Sequence, residues 1–276
     1  MIEYLLPAII TLGGMGIISA IILYFIAKKF EVREDPRSEE ILSILPGVNC
    51  GGCGYPGCSG FANACVKASA LDKLVCPVGG AETMNRIAAI LGQNAVAHEP
   101  TIAVVHCNGS CDKRTHTNTY DGVGHCAMAS ALYGGETACS YGCLGFGDCV
   151  SVCQFNAIRM NPETRLPEVD DNQCTACGIC VKTCPKLLIQ IQRKGPDSHR
   201  IYIACMNKDK GGVARKACAV ACTGCSKCQK NCEFEAVTMA DNLARIDDTK
   251  CTLCGKCVGD CPTSAIVEHL KTKTAV

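Results

Sequence analysis

The 276-residue chain contains no tryptophan, and aromatic residues make up only 5% of it. Large aromatic side chains carry much of the core energy of small domains, so a fold built on an extensive aromatic core is excluded. Charge of one sign is missing as well. Lys and Arg number 27 against 26 Asp and Glu, for a formal net charge of +1. No basic field therefore points to nucleic acid. No G-x-G-x-x-G follows a strand-like run, which argues against a dinucleotide site. A P-loop motif and a Ser-His-Asp signature are also absent. Gly122-Val-Gly124-His-Cys reads as a turn rather than a nucleotide loop.

What the chain has is cysteine, 26 of 276 residues. In a short secreted protein that fraction marks a disulfide scaffold. Here the cysteines recur at metal-ligand spacings. Zinc sites usually pair two separated C-x2-C units, whereas this chain places four cysteines in one short loop. Iron–sulfur clusters are favoured over both zinc and disulfides. Cys251-Thr-Leu-Cys254-Gly-Lys-Cys257-Val-Gly-Asp-Cys261-Pro262 is C-x2-C-x2-C-x3-C-P. In that run three cysteines hold one [4Fe–4S] cluster and the fourth ligates its neighbour. Cys174-Thr-Ala-Cys177-Gly-Ile-Cys180-Val-Lys-Thr-Cys184-Pro185 repeats it. Cys222-Thr-Gly-Cys225-Ser-Lys-Cys228-Gln-Lys-Asn-Cys232 lacks only the proline. So many thiolates imply a reducing cytoplasm. Oxidised clusters add roughly two negative charges each, so the loaded chain is expected to be acidic. Domains this small need such staples to fold.

An internal repeat accounts for further cysteines. Cys139, Cys143, Cys149 and Cys153 correspond to Cys218, Cys222, Cys228 and Cys232. Val-Val-His-Cys107 resembles Tyr-Ile-Ala-Cys205, and the segment before Cys174 resembles that before Cys251. Two copies of a two-cluster unit stand in tandem. Phe146 occupies the place of Cys225, so the first copy lacks one ordinary ligand. Cys139, four residues before Cys143, is the expected substitute, and Cys218 is then a spare, packed thiol. The crossed rule assigns Cys143, Cys149 and Cys184 with Cys139, and Cys174, Cys177 and Cys180 with Cys153. In the second copy it assigns Cys222, Cys225 and Cys228 with Cys261, and Cys251, Cys254 and Cys257 with Cys232.

Nearer the start, Asn49-Cys50-Gly-Gly-Cys53-Gly-Tyr-Pro-Gly-Cys58 and the later Cys76-Pro77 suggest another set: Cys50, Cys53, Cys58 and Cys76. Its glycines let the backbone wrap closely. Cys65 sits in an Ala-rich helical stretch and is expected to pack rather than ligate. The total is about five clusters. A sixth site around Cys107, Cys111 and Cys126, with His106, His116 and His125 nearby, competes with a polar loop of packed thiols; the loop is favoured.

Residues 5–27 carry no charge and are long enough for one bilayer crossing. Glu3 precedes them and Lys28 and Lys29 follow. That order suits an N-terminal anchor with the bulk of the chain cytoplasmic, and not a cleaved signal peptide. Gly13, Gly14 and Gly16 form a small-residue face suited to packing on another membrane helix, or are ordinary tolerated glycines. The expected fold is small, irregular α+β. It comprises an anchor (1–29), a charged linker (30–40), a helical Fe4S domain (41–98) and two ferredoxin-like units (99–199 and 200–276). Strands are expected at 157–160 and 236–239.

The Cys50–Cys76 loop resembles the Fe4S domain of the B subunit of Rnf electron-transport complexes and of the corrinoid iron–sulfur protein. The latter continues into a large barrel; this chain continues into ferredoxin runs, the order expected of the Rnf B subunit. The resemblance spans nearly the whole chain. It implies a [4Fe–4S] electron-transfer subunit of a membrane complex that passes electrons from soluble reduced ferredoxin toward NAD while exporting Na⁺ or H⁺. Integral membrane subunits and an NAD-binding subunit are the implied partners. Other readings are a ferredoxin-like subunit of a hydrogenase or other reductase, an iron–sulfur sensor or scaffold, and a corrinoid-dependent methyl carrier, against which the missing barrel argues.

Overall fold

The computed structural model describes residues 2–29, 35–94, 99–132 and 134–270. Its first element is helix α1, Ile2–Lys29. The expected membrane-spanning anchor is corrected here. Among the described residues, no helix is long and apolar enough to cross a membrane. A crossing takes about 20 consecutive apolar residues, and the unbroken run of described side chains in α1 is only 13–26. The side chains of residues 2–12 and 27 lie outside the described residues, as do residues 30–34 of the expected linker.

The rest of that linker starts a helix. Asp35 caps α2 (Pro36–Ile44) by accepting the Arg37 N–H at 2.9 Å, and Pro36 suits the first helical position. Helices α3 (Gly57–Lys67) and α4 (Gly80–Leu91) follow. Both pack on α2, and the three enclose Ile41, Leu45, Phe61, Leu71, Met84 and Ile87. Gly92, left-handed at φ 65°, ends α4.

Two similar units follow. In the first, β1 (Thr101–Val105) pairs antiparallel with the distant β4 (Ile189–Arg193), and β2 (Ile158–Met160) pairs with β3 (Pro167–Val169). Helices α5 (Cys126–Leu132), α6 (Asp148–Ser151) and α7 (Ile179–Thr183) lie between these strands in the chain. In the second, β5 (Arg200–Ile203) pairs with β8 (Ile266–His269), and β6 (Val237–Ala240) with β7 (Leu243–Ile246). Its helices are α8 (Gly211–Ala217), α9 (Lys227–Lys230) and α10 (Lys256–Asp260). Each unit is an outer pair formed by its two ends and an inner hairpin. A short helix in each cysteine run packs on its counterpart, α6 on α7 and α9 on α10.

Each unit has a small buried cluster that includes cysteine; that of the second is Ile201, Ile203, Cys228, Val237, Leu243, Ala244 and Ile266. The buried cluster of the first is Ala103, Cys149, Ile158, Cys180 and Ile189, so two of five members are cysteines.

The units are fastened to each other by polar contacts. Arg200 donates to both oxygens of Asp171, at 3.1 and 2.8 Å, and His269 Nε2 lies 3.0 Å from the same carboxylate. Arg200 and Asp171 are both buried. Backbone bonds join Thr115 to Ala217, Ala219 to Lys113, and Asn108 to Ala204.

Candidate metal centres

The four ferredoxin-type loops share one backbone. At two places in each loop the chain turns left-handed: at Gly145 and Gly147, Ala176 and Gly178, Gly224 and Ser226, Leu253 and Gly255. A third left-handed residue comes three places after the last cysteine, at Asn156, Leu187, Glu235 and Ser264. Positive φ suits glycine and costs other residues roughly 1 kcal/mol or more. Ala176, Leu253 and Ser226 accept that cost at positions where other loops carry glycine. These turns bend each loop inward, so that its cysteines face one centre. Amides point at the sulfurs. Cys153, Cys184 and Cys261 each accept an N–H from the residue four places on, at 3.3 to 3.4 Å.

Most of the expected sets share a cavity or a neighbourhood. Cys50, Cys53, Cys58 and Cys76 line one cavity. Cys222, Cys225, Cys228 and Cys261 line another, and Cys232, Cys251, Cys254 and Cys257 a third. Cys153 and Cys174 pack against the buried cluster that holds Cys180, and Cys177 adjoins Cys180. Among the described residues, no three Cys, His, Asp or Glu side chains are close enough to grip a single metal ion. The cysteines stand around spaces rather than around a point. That arrangement suits a cube of iron and sulfide better than zinc.

The loop with Phe146 is different. Cys143, Cys149 and Cys184 line a cavity whose fourth cysteine is Cys126, at the start of α5. Asp148 holds Cys126 in place. Its Oδ2 accepts the Ala127 N–H at 3.1 Å, and its Oδ1 lies 3.3 Å from His125 Nδ1. The Asp148 carboxyl is held below the usual range; burial opposes this, and the amides of Cys126 and Ala127 with His125 outweigh it. Phe146 packs edge-on against Tyr120, ring centres 5.5 Å apart.

Cys139, the expected substitute, is buried on another wall. It lines a cavity with Cys107, Cys205 and Cys218. Cys111, named with Cys107 and Cys126 for a possible sixth site, instead donates its thiol to the Glu163 carbonyl at 3.1 Å. Sequence reasoning did not pair Cys126 with Cys143, and it left Cys205 and Cys218 without a centre. One signal was available. Cys139 has a counterpart, Cys218, in a copy whose ordinary ligands are complete, so its role should be common to both copies. Cys65 is fully buried among Phe61, Leu71 and Ile87 in the helical domain.

Burial dominates the thiols' acidity. It pushes Cys180 and Cys205 up to about 12, and Cys149, Cys228 and Cys257 up to about 11, with neighbouring cysteines adding to each. Thiols this reluctant to ionise do so for a metal, which displaces their protons. Cys261 alone is lowered. Burial opposes the change, and amides of Thr263, Ala265 and Ile266 overcome it.

The groups stand close together. The backbone at Gly52 is so near Cys177 that a Cβ there would lie 2.5 Å from the Cys177 carbonyl oxygen. Cys50 is the first charged neighbour of Cys177. Cys149 adjoins Cys180, and Cys228 adjoins Cys257.

Residues 45–78 match the FeS family, described as a putative Fe-S cluster. Residues 138–187 and 221–266 each match a 4Fe-4S dicluster domain family. The chain is 42% identical over 266 residues to the B subunit of the Na⁺-translocating ferredoxin:NAD⁺ oxidoreductase complex of Acetobacterium woodii, covering 96% of this chain and 78% of that protein. It is 39% identical to the B subunit of the ion-translocating oxidoreductase complex of Methanosarcina acetivorans, covering 96% and 99%. The B subunit of the proton-translocating ferredoxin:NAD⁺ oxidoreductase complex of Clostridium ljungdahlii is 37% identical, covering 91% and 88%. By motif, loop geometry and likeness over its length, the chain belongs to the B-subunit family of the ion-translocating (Rnf) oxidoreductase complexes.

Proposed function

We propose that this chain is the iron–sulfur wire of an ion-translocating ferredoxin:NAD⁺ oxidoreductase, carrying electrons from reduced ferredoxin toward NAD while Na⁺ or H⁺ is exported. The observation that carries the reading is the close spacing of four-cysteine groups, within each unit at Cys149 and Cys180 and at Cys228 and Cys257, and between the helical domain and the first unit where Gly52 approaches Cys177. A [4Fe–4S] cluster held by four thiolates supplies one-electron exchange and leaves no iron open to a substrate. The chain's residues do the rest. Cys50, Cys53, Cys58 and Cys76 hold the first group; Cys153, Cys174, Cys177 and Cys180 the second; Cys126, Cys143, Cys149 and Cys184 the third. Cys222, Cys225, Cys228 and Cys261, and Cys232, Cys251, Cys254 and Cys257, hold those of the second unit. Amide donors such as those of Ala157, Leu188 and Ala265 stabilise added negative charge at their cysteines.

Other tasks fall to other subunits. The sequence has no dinucleotide turn, so NAD chemistry belongs to a partner. Ion export needs a membrane, and ferredoxin and NAD are cytoplasmic. The cysteine-bearing units therefore work on the cytoplasmic face beside integral membrane subunits.

Anaerobic stopped-flow mixing of the loaded full-length chain with reduced ferredoxin tests the reading. Rapid oxidation of the donor with matching bleaching of the chain is expected. A donor that stays reduced points to a sensor or scaffold, and stoichiometric NAD binding by the chain alone breaks the division of labour.

A further inference from the structure

We propose that Cys107, Cys139, Cys205 and Cys218 hold a sixth [4Fe–4S] cluster, seated between the two ferredoxin-like units and joining them electrically. The inference rests on the reading that clusters fill the other five sets. None of those sets uses these four residues. The dicluster matches, at 138–187 and 221–266, include only Cys139 of the four.

The four cysteines line one cavity, as do the four cysteines of each of four other sets. Each unit contributes the same pair. Cys107 and Cys205 follow the equivalent strands β1 and β5; Cys139 and Cys218 precede the equivalent loops. Half the set comes from each copy, so neither copy completes the site alone. His106 ties the two strand ends together. Its Nδ1 lies 2.7 Å from the Ile203 carbonyl. A carbonyl can only accept, so Nδ1 carries the proton.

The lining is polar where an iron–sulfur cube needs it. Asn207 is fully buried. Its Nδ2 donates to the Cys139 sulfur at 3.5 Å and its backbone N–H to the Cys205 sulfur at 3.4 Å. The Cys222 N–H also reaches Cys205, at 3.3 Å. Arg114 is buried on the same wall, and its Nε has no hydrogen-bond partner. A buried cation with an orphaned donor calls for an acceptor nearby, and cluster sulfide is one. Gly109 leaves the room: a Cβ there would sit 3.1 Å from both the Cys218 sulfur and Arg114 Cγ.

The position bridges the units. Cys107 is the first charged neighbour of Cys143 in the first unit, and Cys205 adjoins Cys222 in the second and Cys139 across the interface.

Iron and sulfide analysis of the anaerobically purified full-length chain is the test. The proposal expects about 24 irons, four for each of six sites, where five sites give about 20. Cys107→Ser and Cys205→Ser should each lower the count by about four and remove one component from the reduced EPR spectrum. Cys111→Ser, outside every set, should leave both unchanged. A wild-type count near 20, or full iron in Cys107→Ser, overturns the proposal, and the wild-type count decides even if a variant fails to fold. A chain with about 20 irons that still oxidises reduced ferredoxin overturns the sixth site alone. A chain without iron overturns the functional reading as well.

Discussion

The two ferredoxin-like units have the same loop backbone and a different placement of cysteines. Where the second carries Cys225 and Lys227, the first carries Phe146 and Asp148. The left-handed turns nonetheless fall at matching places, at Gly145 and Gly147 and at Gly224 and Ser226. The loop's shape is therefore a property of its turn residues, and does not need the second cysteine. Once the shape is fixed, the missing thiol can come from anywhere that reaches the cavity. In the first unit the cavity's fourth cysteine comes from the longer segment between Cys107 and Cys139, by way of α5. Exposure differs as well. Cys225 and Cys254 of the second unit are exposed, whereas no cysteine of the first unit is.

The largest effect that can break this comparison is loss of a whole site. Cys126→Ser and Cys225→Ser should each cost about four irons, although only one of these residues lies in a standard run. Adding Phe146→Cys to Cys126→Ser should return the iron, because the first loop already has the backbone of the second. Iron analysis checks both steps. If Cys126→Ser keeps its full iron, the two units do not differ in where the fourth ligand comes from.

A smaller loss is expected where the units meet. Asp171→Ala leaves Arg200 buried without its counter-charge, and breaking a buried pair from one side costs about 3 to 5 kcal/mol. His269 loses its partner in the same step. The anaerobic urea midpoint of the full-length chain should fall, with both units released together if the junction couples them. An unchanged midpoint would show that the units are held by their backbone contacts alone.

The spacing of cysteines made the recurring turn of the four loops and the gathering of Cys50, Cys53, Cys58 and Cys76 at one cavity legible in sequence, because those residues are mostly close along the chain. The strands at 158–160 and 237–240 were legible for the same reason, as continuations of the runs. Cys126 was not. It reaches its cavity from a helix held by Asp148, and nothing in the distance between 126 and 143 signals it. Cys139 misled because proximity in sequence to Cys143 is not proximity to the same centre; the chain turns between them. Cys205 and Cys218 came together with Cys107 and Cys139 only through the packing of two copies. The expected membrane anchor rested on the hydropathy of residues 5–27, which the described part of α1 does not extend far enough to satisfy.

The smallest effect isolates the device that replaces Cys225. Asp148 neither ligates nor lines up with a cysteine in the second unit; it positions Cys126 through the Ala127 amide. Hydrogen bonds to a charged acceptor are worth about 1.5 to 3 kcal/mol, and Asp148→Asn keeps the shape while giving up the charge. The variant should purify with its full iron, since Cys126 remains. Its third site should then lose iron to a chelator several-fold faster than the wild type. The corresponding change in the second unit, Lys227→Asn, removes no such support and should leave the release rate as it was. Equal sensitivity of the two units to these substitutions would mean that Cys126 holds its place without Asp148, through the packing of α5 itself.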